Sequence, residues 1–157
     1  MNLKESLIIQ ISRELKLTNL IWKSCPKNYK EWTDILKIND VYKTVSNFLY
    51  SKKYQHLFKD VCDVIAYQNF QNFKSEFRAK KYLEKIGYTV TKSTVLLDSM
   101  FYVDLLAEKE ATRLAIQVKK AKHNDLNLNK LISWSYKNKY KPVLLIVYPN
   151  KIIWKNL

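Results

Sequence analysis

An α/β core behind a helical N-terminal region is the fold that this sequence predicts, and three observations predict it. The hydrophobic pattern changes near residue 70: apolar positions recur every three or four residues before it, and short apolar runs bounded by turns follow it. The one glycine, Gly87, ends a helical pattern and precedes a strand-like one, as a residue just past a helix end does. The length of 157 residues, 47% hydrophobic and 13% aromatic, suffices for a buried core of ordinary domain size with a helical extension.

Taken in order, Leu3 to Leu17 carries Leu7, Ile8, Ile11 and Leu15 at helical spacing. Pro26 marks a turn, and Glu31–Ile38, Val41–Ser51 and Tyr54–Tyr67 continue the 3.6-residue pattern. Residues 1–70 are therefore read as a helical region that supplies an interface or DNA contacts. Residues 71–157 are read as the core. Gln71–Ile86 forms its first helix, and Tyr88–Leu97, rich in Thr and Val, its first strand. A turn at Asp98 and Ser99 leads to strands over Phe101–Ala107 and Thr112–Lys120. Asp125–Tyr140 forms a second helix, Val143–Tyr148 an apolar strand and Ile152–Lys155 a short last one. The predicted order is helix, three strands, helix, strand, strand.

Charge narrows the function. The formal net charge is +14, split as 11 basic and 7 acidic residues up to residue 70 against 17 and 7 after it. A polyanion is the partner this implies, nucleic acid before an anionic membrane. Twenty-five of the 28 basic residues are Lys, which binds phosphate as a point charge rather than reading a base edge. A single glycine excludes the P-loop, the dinucleotide fingerprint and the G-x-x-G clamp. Cys25 and Cys62 form no disulfide framework or zinc pattern and read as two buried thiols in a reducing compartment. Met1–Lys16 does not read as a secretory signal, and the longest apolar run, Val143–Tyr148, is far short of a membrane span. An intracellular, cytoplasmic protein without a membrane partner is expected.

Polar residues at three core positions carry the chemistry. Phe73, Glu76, Ala79, Leu83 and Ile86 share one helix face, so Glu76 lies on a stripe that is otherwise apolar. Asp104 sits between Val103 and Leu105 in a predicted strand. Gln117 and Lys119 are two apart and face one side of theirs, with Ile116 and Val118 on the other. Buried carboxylates without compensation cost several kcal/mol, roughly. Sharing a divalent cation removes that cost, and hard oxygen donors suit Mg²⁺, with Mn²⁺ as the alternative. Asp104 would be the central ligand, Gln117 a neutral second one, and Glu76 would reach in directly or through water. Lys119, as a cation, would hold the attacking water or stabilise charge on a phosphate.

Other readings of the same residues stand beside this one. Asp104 can be an edge residue facing water, and Glu76 can pair with Lys80 four positions on. Lys120 rivals Lys119 if the strand has a bulge. Asp98 is a rival carboxylate, but beside Ser99 it reads as a plain turn residue. Lys120, Lys122, His123 and Asn124 are candidates for phosphate contact, or the solvated start of a helix.

The order helix-Glu, strand, Asp, strand, Gln-x-Lys resembles that of the PD-(D/E)XK nuclease superfamily. The stretch from Ile86-Gly-Tyr-Thr-Val through Val103-Asp-Leu-Leu-Ala to Ala115-Ile-Gln-Val-Lys119 looks most like its Mrr-type restriction endonuclease branch. It is also similar to small homing endonucleases and resolvases of that fold. The resemblance covers about residues 71–155. It implies a restriction-endonuclease-like core with Glu76, Asp104 and Gln117 at the metal and Lys119 as catalytic lysine. The activity implied is Mg²⁺-dependent hydrolysis of DNA phosphodiesters, of restriction or homing type. A homodimer or larger assembly is expected, because cutting a duplex needs two sites. A branched-DNA resolvase, an RNase or toxin on the same fold, and a catalytically dead nucleic-acid-binding module are the alternatives.

Overall fold

The structure, a computed structural model, describes residues 2–121 and 128–157. The chain divides into two compact units, residues 1–73 and 74–157.

The first unit is helical: α1 (Leu3–Glu14), α2 (Leu17–Ser24), α3 (Tyr29–Ile38), α4 (Val41–Ser51) and α5 (Phe58–Asp63). Side-chain caps set two of the starts. Asn2 accepts from the Glu5 N–H while the Glu5 carboxylate accepts from the Asn2 N–H, which satisfies two of the donors that a helix start leaves open. Asn28 caps α3 through the Glu31 N–H. The predicted helix over Leu3–Leu17 is instead two, because Lys16 takes a left-handed conformation at φ 48° and breaks the register. The predicted helix over Tyr54–Tyr67 is also divided. A 3₁₀ turn (Gln55–Leu57) precedes α5, and a π-helical turn (Val64–Gln68) follows it. Trp32, fully buried, donates its indole N–H to the Ala66 carbonyl in that wider turn at 3.0 Å. Ile11, Leu17, Leu36, Val45, Leu49, Val61 and Ile65 of the same unit also lose nearly all their exposure. Of the two cysteines expected to be buried, Cys62 is; Cys25 is exposed, in a left-handed conformation just after α2.

Helix α6 (Asn69–Lys85) leads into the second unit, where Ala79 and Leu83 are fully buried. Gly87, at φ +94°, supplies the backbone conformation that ends it. There follow β1 (Thr89–Lys92), α7 (Val95–Phe101), β2 (Leu105–Lys109), β3 (Thr112–Lys120), α8 (Asn129–Lys137), β4 (Lys141–Val147) and β5 (Ile152–Asn156). The five strands form one sheet in chain order. β1, β2 and β3 are antiparallel, β3 and β4 parallel, and β4 and β5 antiparallel. Leu114–Val118 and Pro142–Leu145 are buried without interruption, the signature of central strands covered on both faces. Val103, Ala115 and Leu131 form a buried cluster with Leu97, Phe101, Leu106 and Trp134 packed on it.

The predicted α/β order holds, with one helix added. The strand expected over Tyr88–Leu97 ends at Lys92, and the turn expected at Asp98 is α7, capped by Thr94 through the Leu97 N–H. Phe101 closes that helix and Tyr102 turns the chain at φ 57°, so the strand expected from Phe101 begins at Leu105. Residues 125–127 of the predicted second helix, and the predicted contacts Lys122, His123 and Asn124, lie outside the described residues.

Candidate metal centre

Asp104 is the fixed point of the site. Its N–H donates to the Ile116 carbonyl at 2.8 Å, one residue before β2 begins. Its carboxylate accepts from the Val118 N–H at 2.6 Å, and the residue is 7% exposed. It is therefore no edge residue facing water. The ladder's last pair is Leu105 with Ile116, and the Asp104 N–H bonds that same Ile116, so Asp104 steps out of the regular register.

Helix α6 supplies Glu76 and helix α7 supplies Asp98. A carboxylate oxygen from each of Glu76, Asp98 and Asp104 lies within 4.8 Å of the others. Asp98 is thus part of the cluster rather than a plain turn residue. It lies on a capped helix in a stretch too short to show a period. Lys92, at the end of β1, reaches both helices, with its ammonium 2.9 Å from Glu76 and 3.0 Å from Asp98. Glu76 does not take Lys80 as its partner, since Lys80 pairs with Glu84.

These charges strain one another. Burial raises the Asp104 carboxyl well above the ordinary carboxylate range, and the charges of Glu76 and Asp98 push the same way, against Lys92 and the Val118 N–H. Burial also raises Glu76, with Lys92 pulling it back and Lys119 pulling more weakly. Lys92 moves up: burial works to lower it, but Glu76, Asp98 and Asp104 together outweigh that. Lys92 pairs with two of the three carboxylates, and the cluster remains formally anionic.

β3 brings the remaining predicted residues. Its register against β4 is unbroken from Leu114 to Lys120, so no bulge interrupts it there. Gln117 and Lys119 consequently share a face and Lys120 takes the other. Gln117 is 3% exposed, and its side-chain oxygen is buried with no hydrogen-bond partner among the described residues. A buried neutral oxygen left open in this way is a donor that a hard cation would satisfy. The donor set of three carboxylates and a carboxamide oxygen therefore fits Mg²⁺ or Mn²⁺. Lys119 lies near enough for its charge to act on Glu76. Burial, and then the charge of Lys74, lowers Lys120. Asp98 and Lys92 are the site residues that the pattern of the sequence did not bring out. The signal available for Asp98 was Thr94, a helix-start residue four positions earlier.

No family model matches the chain, and no curated protein matches it. Among solved structures it is similar to Hjc, a Holliday junction resolvase from the archaeal hyperthermophile Archaeoglobus fulgidus. The TM-score is 0.44 and the identity 19%, over 52% of this chain and 72% of that one.

Proposed function

We propose that this protein is a Mg²⁺-dependent endonuclease that hydrolyses phosphodiester bonds in DNA, of restriction or homing type. One observation carries the reading: three carboxylates converge in a partly buried site, in the same unit as a buried Gln117 oxygen with no hydrogen-bond partner among the described residues, within the part of the chain that holds most of a +14 charge. A partly buried anionic cluster in a basic protein suits a cation that itself meets a phosphate.

Asp104, Glu76 and Asp98 would hold the metal, with Gln117 as neutral donor. When bound, the cation supplies Lewis-acid stabilisation of charge on the phosphate. The chain's own groups do the rest. The Val118 N–H holds the Asp104 carboxylate in one orientation. Lys119 presents an ammonium to the scissile phosphate and orients the water that attacks it. Lys120 and the lysines around the site draw the strand in by charge. Cutting both strands of a duplex calls for two copies of the chain, so the active form is a homodimer or larger.

The test is incubation with plasmid, a four-way DNA junction and total RNA, with and without Mg²⁺. Cleavage of DNA only with metal is expected. Asp104→Ala should abolish it, and Lys119→Ala should lower it by about 10²–10³-fold, the loss typical of removing one group that stabilises transition-state charge. Binding should persist in both. Preference for the junction would make the enzyme a resolvase, and cleavage of RNA alone an RNase. Salt-sensitive binding without cleavage in Mg²⁺ or Mn²⁺ would make it a binding module.

A further inference from the structure

The geometry points to Lys92 as an internal counter-cation that occupies the carboxylate cluster in the metal-free protein and withdraws from Glu76 and Asp98 when a divalent cation enters. This rests on the metal-binding reading above and adds what sets the affinity of that site. Lys92 is unlike the other lysines that make ion pairs here. Its side chain is 13% exposed, whereas those pairing with Asp34, Asp60 or Glu84 are 22% exposed or more. It bridges carboxylates from two separate helices, at 2.9 and 3.0 Å. Both of those carboxylates belong to the three that converge within 4.8 Å.

A cation shared by Glu76, Asp98 and Asp104 must lie among the same oxygens that Lys92 neutralises. A like charge a few ångströms away in a partly buried site opposes entry, because screening there is weaker than in bulk water. The ammonium sits on a four-carbon stem at the end of β1, so it can swing out without moving the strand. Metal entry is then an exchange of one cation for another. Lys92 keeps the empty site folded and at the same time weakens its hold on metal.

Mn²⁺ titration calorimetry on the wild type, Lys92→Met, Lys80→Met and Asp104→Asn tests this. Lys92→Met should bind Mn²⁺ roughly tenfold more tightly or better than wild type, because the competing charge is gone. Lys80→Met removes the same charge from α6 without leaving the cluster and should change affinity by about twofold or less, as screened surface charges do. If Lys92→Met binds no tighter than wild type, or Lys80→Met tightens binding equally, the exchange is wrong. A second measurement on the wild type does not depend on a variant folding. The rate at which an amine-reactive reagent acylates Lys92, read by peptide mass spectrometry, should rise on adding Mn²⁺ and should not rise in Asp104→Asn. An unchanged or slower rate in metal-loaded wild type overturns the proposal. If wild type shows no Mn²⁺ binding that Asp104→Asn removes, the metal-binding reading itself fails, and the exchange with it.

Discussion

The two units solve burial in opposite ways. In residues 1–73 the buried residues described are apolar, from Leu7 to Phe73, and the indole N–H of Trp32 has a carbonyl to donate to. The four buried polar or charged residues described, Ser93, Asp104, Gln117 and Ser135, all belong to residues 74–157. The same division separates charge, +4 against +10. The α/β unit keeps a carboxylate and an open amide oxygen inside, where an apolar core would hold better.

The largest effect that would sharpen this contrast lies in the helical unit. Trp32→Ala should destabilise the protein by about 3–5 kcal/mol, the range for deleting a fully buried aromatic side chain. The cost has two parts, a cavity and an Ala66 carbonyl stripped of its donor. Chemical denaturation should show it, and Mn²⁺ affinity measured well below the transition should be unchanged. A small loss of stability would mean that Trp32 does not anchor its core.

The α/β unit should respond in the opposite direction. Asp104 has a native pKa above its unfolded value, so the folded protein binds more protons between the two. Metal-free stability should therefore fall as pH rises from the unfolded value, about 4, through the raised native one, and stay reduced above it. Asp104→Asn removes that slope. In the absence of metal at pH 7 the variant should melt higher than wild type, with the gap closing toward pH 4. Added Mn²⁺ should reverse the order, since only wild type gains from it. Equal melting temperatures at pH 7 without metal would show that Asp104 is not held at a cost.

How far the sequence disclosed this site depended on the periodicity around each residue. Glu76 and Asp104 stood out because each interrupts an apolar pattern, on a helix stripe and beside Val103 and Leu105. Gln117 and Lys119 were readable because β3 is long and regular. Asp98 was not, since α7 spans seven residues and has none buried, so no stripe marks it as a helix. Lys92 was hidden for another reason. It ends a short strand of four residues in a chain with 25 lysines, and only tertiary structure brings it between α6 and α7. The breaks at Lys16 and Tyr102 were equally unreadable, because left-handed residues other than glycine follow from packing rather than type.

The smallest predicted effect separates the units most cleanly, because it applies one chemical change to both. Thr94→Ala and Asn28→Ala each remove the side-chain acceptor at a helix start, and each should cost about 1 kcal/mol. Asn28 begins a ten-residue helix anchored by the buried Trp32 and Leu36, so its loss should leave the helix in place. Thr94 begins a helix with no buried residue, and Val95, Leu96 and Met100 are exposed on it. Leu97 and Phe101 pack on the cluster of Val103, Ala115 and Leu131, but the cap and the Lys92–Asp98 pair fix the helix's first turn, which carries Asp98 to the carboxylates. Thr94→Ala should therefore weaken Mn²⁺ binding several-fold, as one of three carboxylates becomes mobile, whereas Asn28→Ala should not alter it. Thr94→Ser, which keeps the acceptor, should restore affinity. If the two alanine variants bind Mn²⁺ alike, Asp98 is a neighbour of the centre and not one of its ligands.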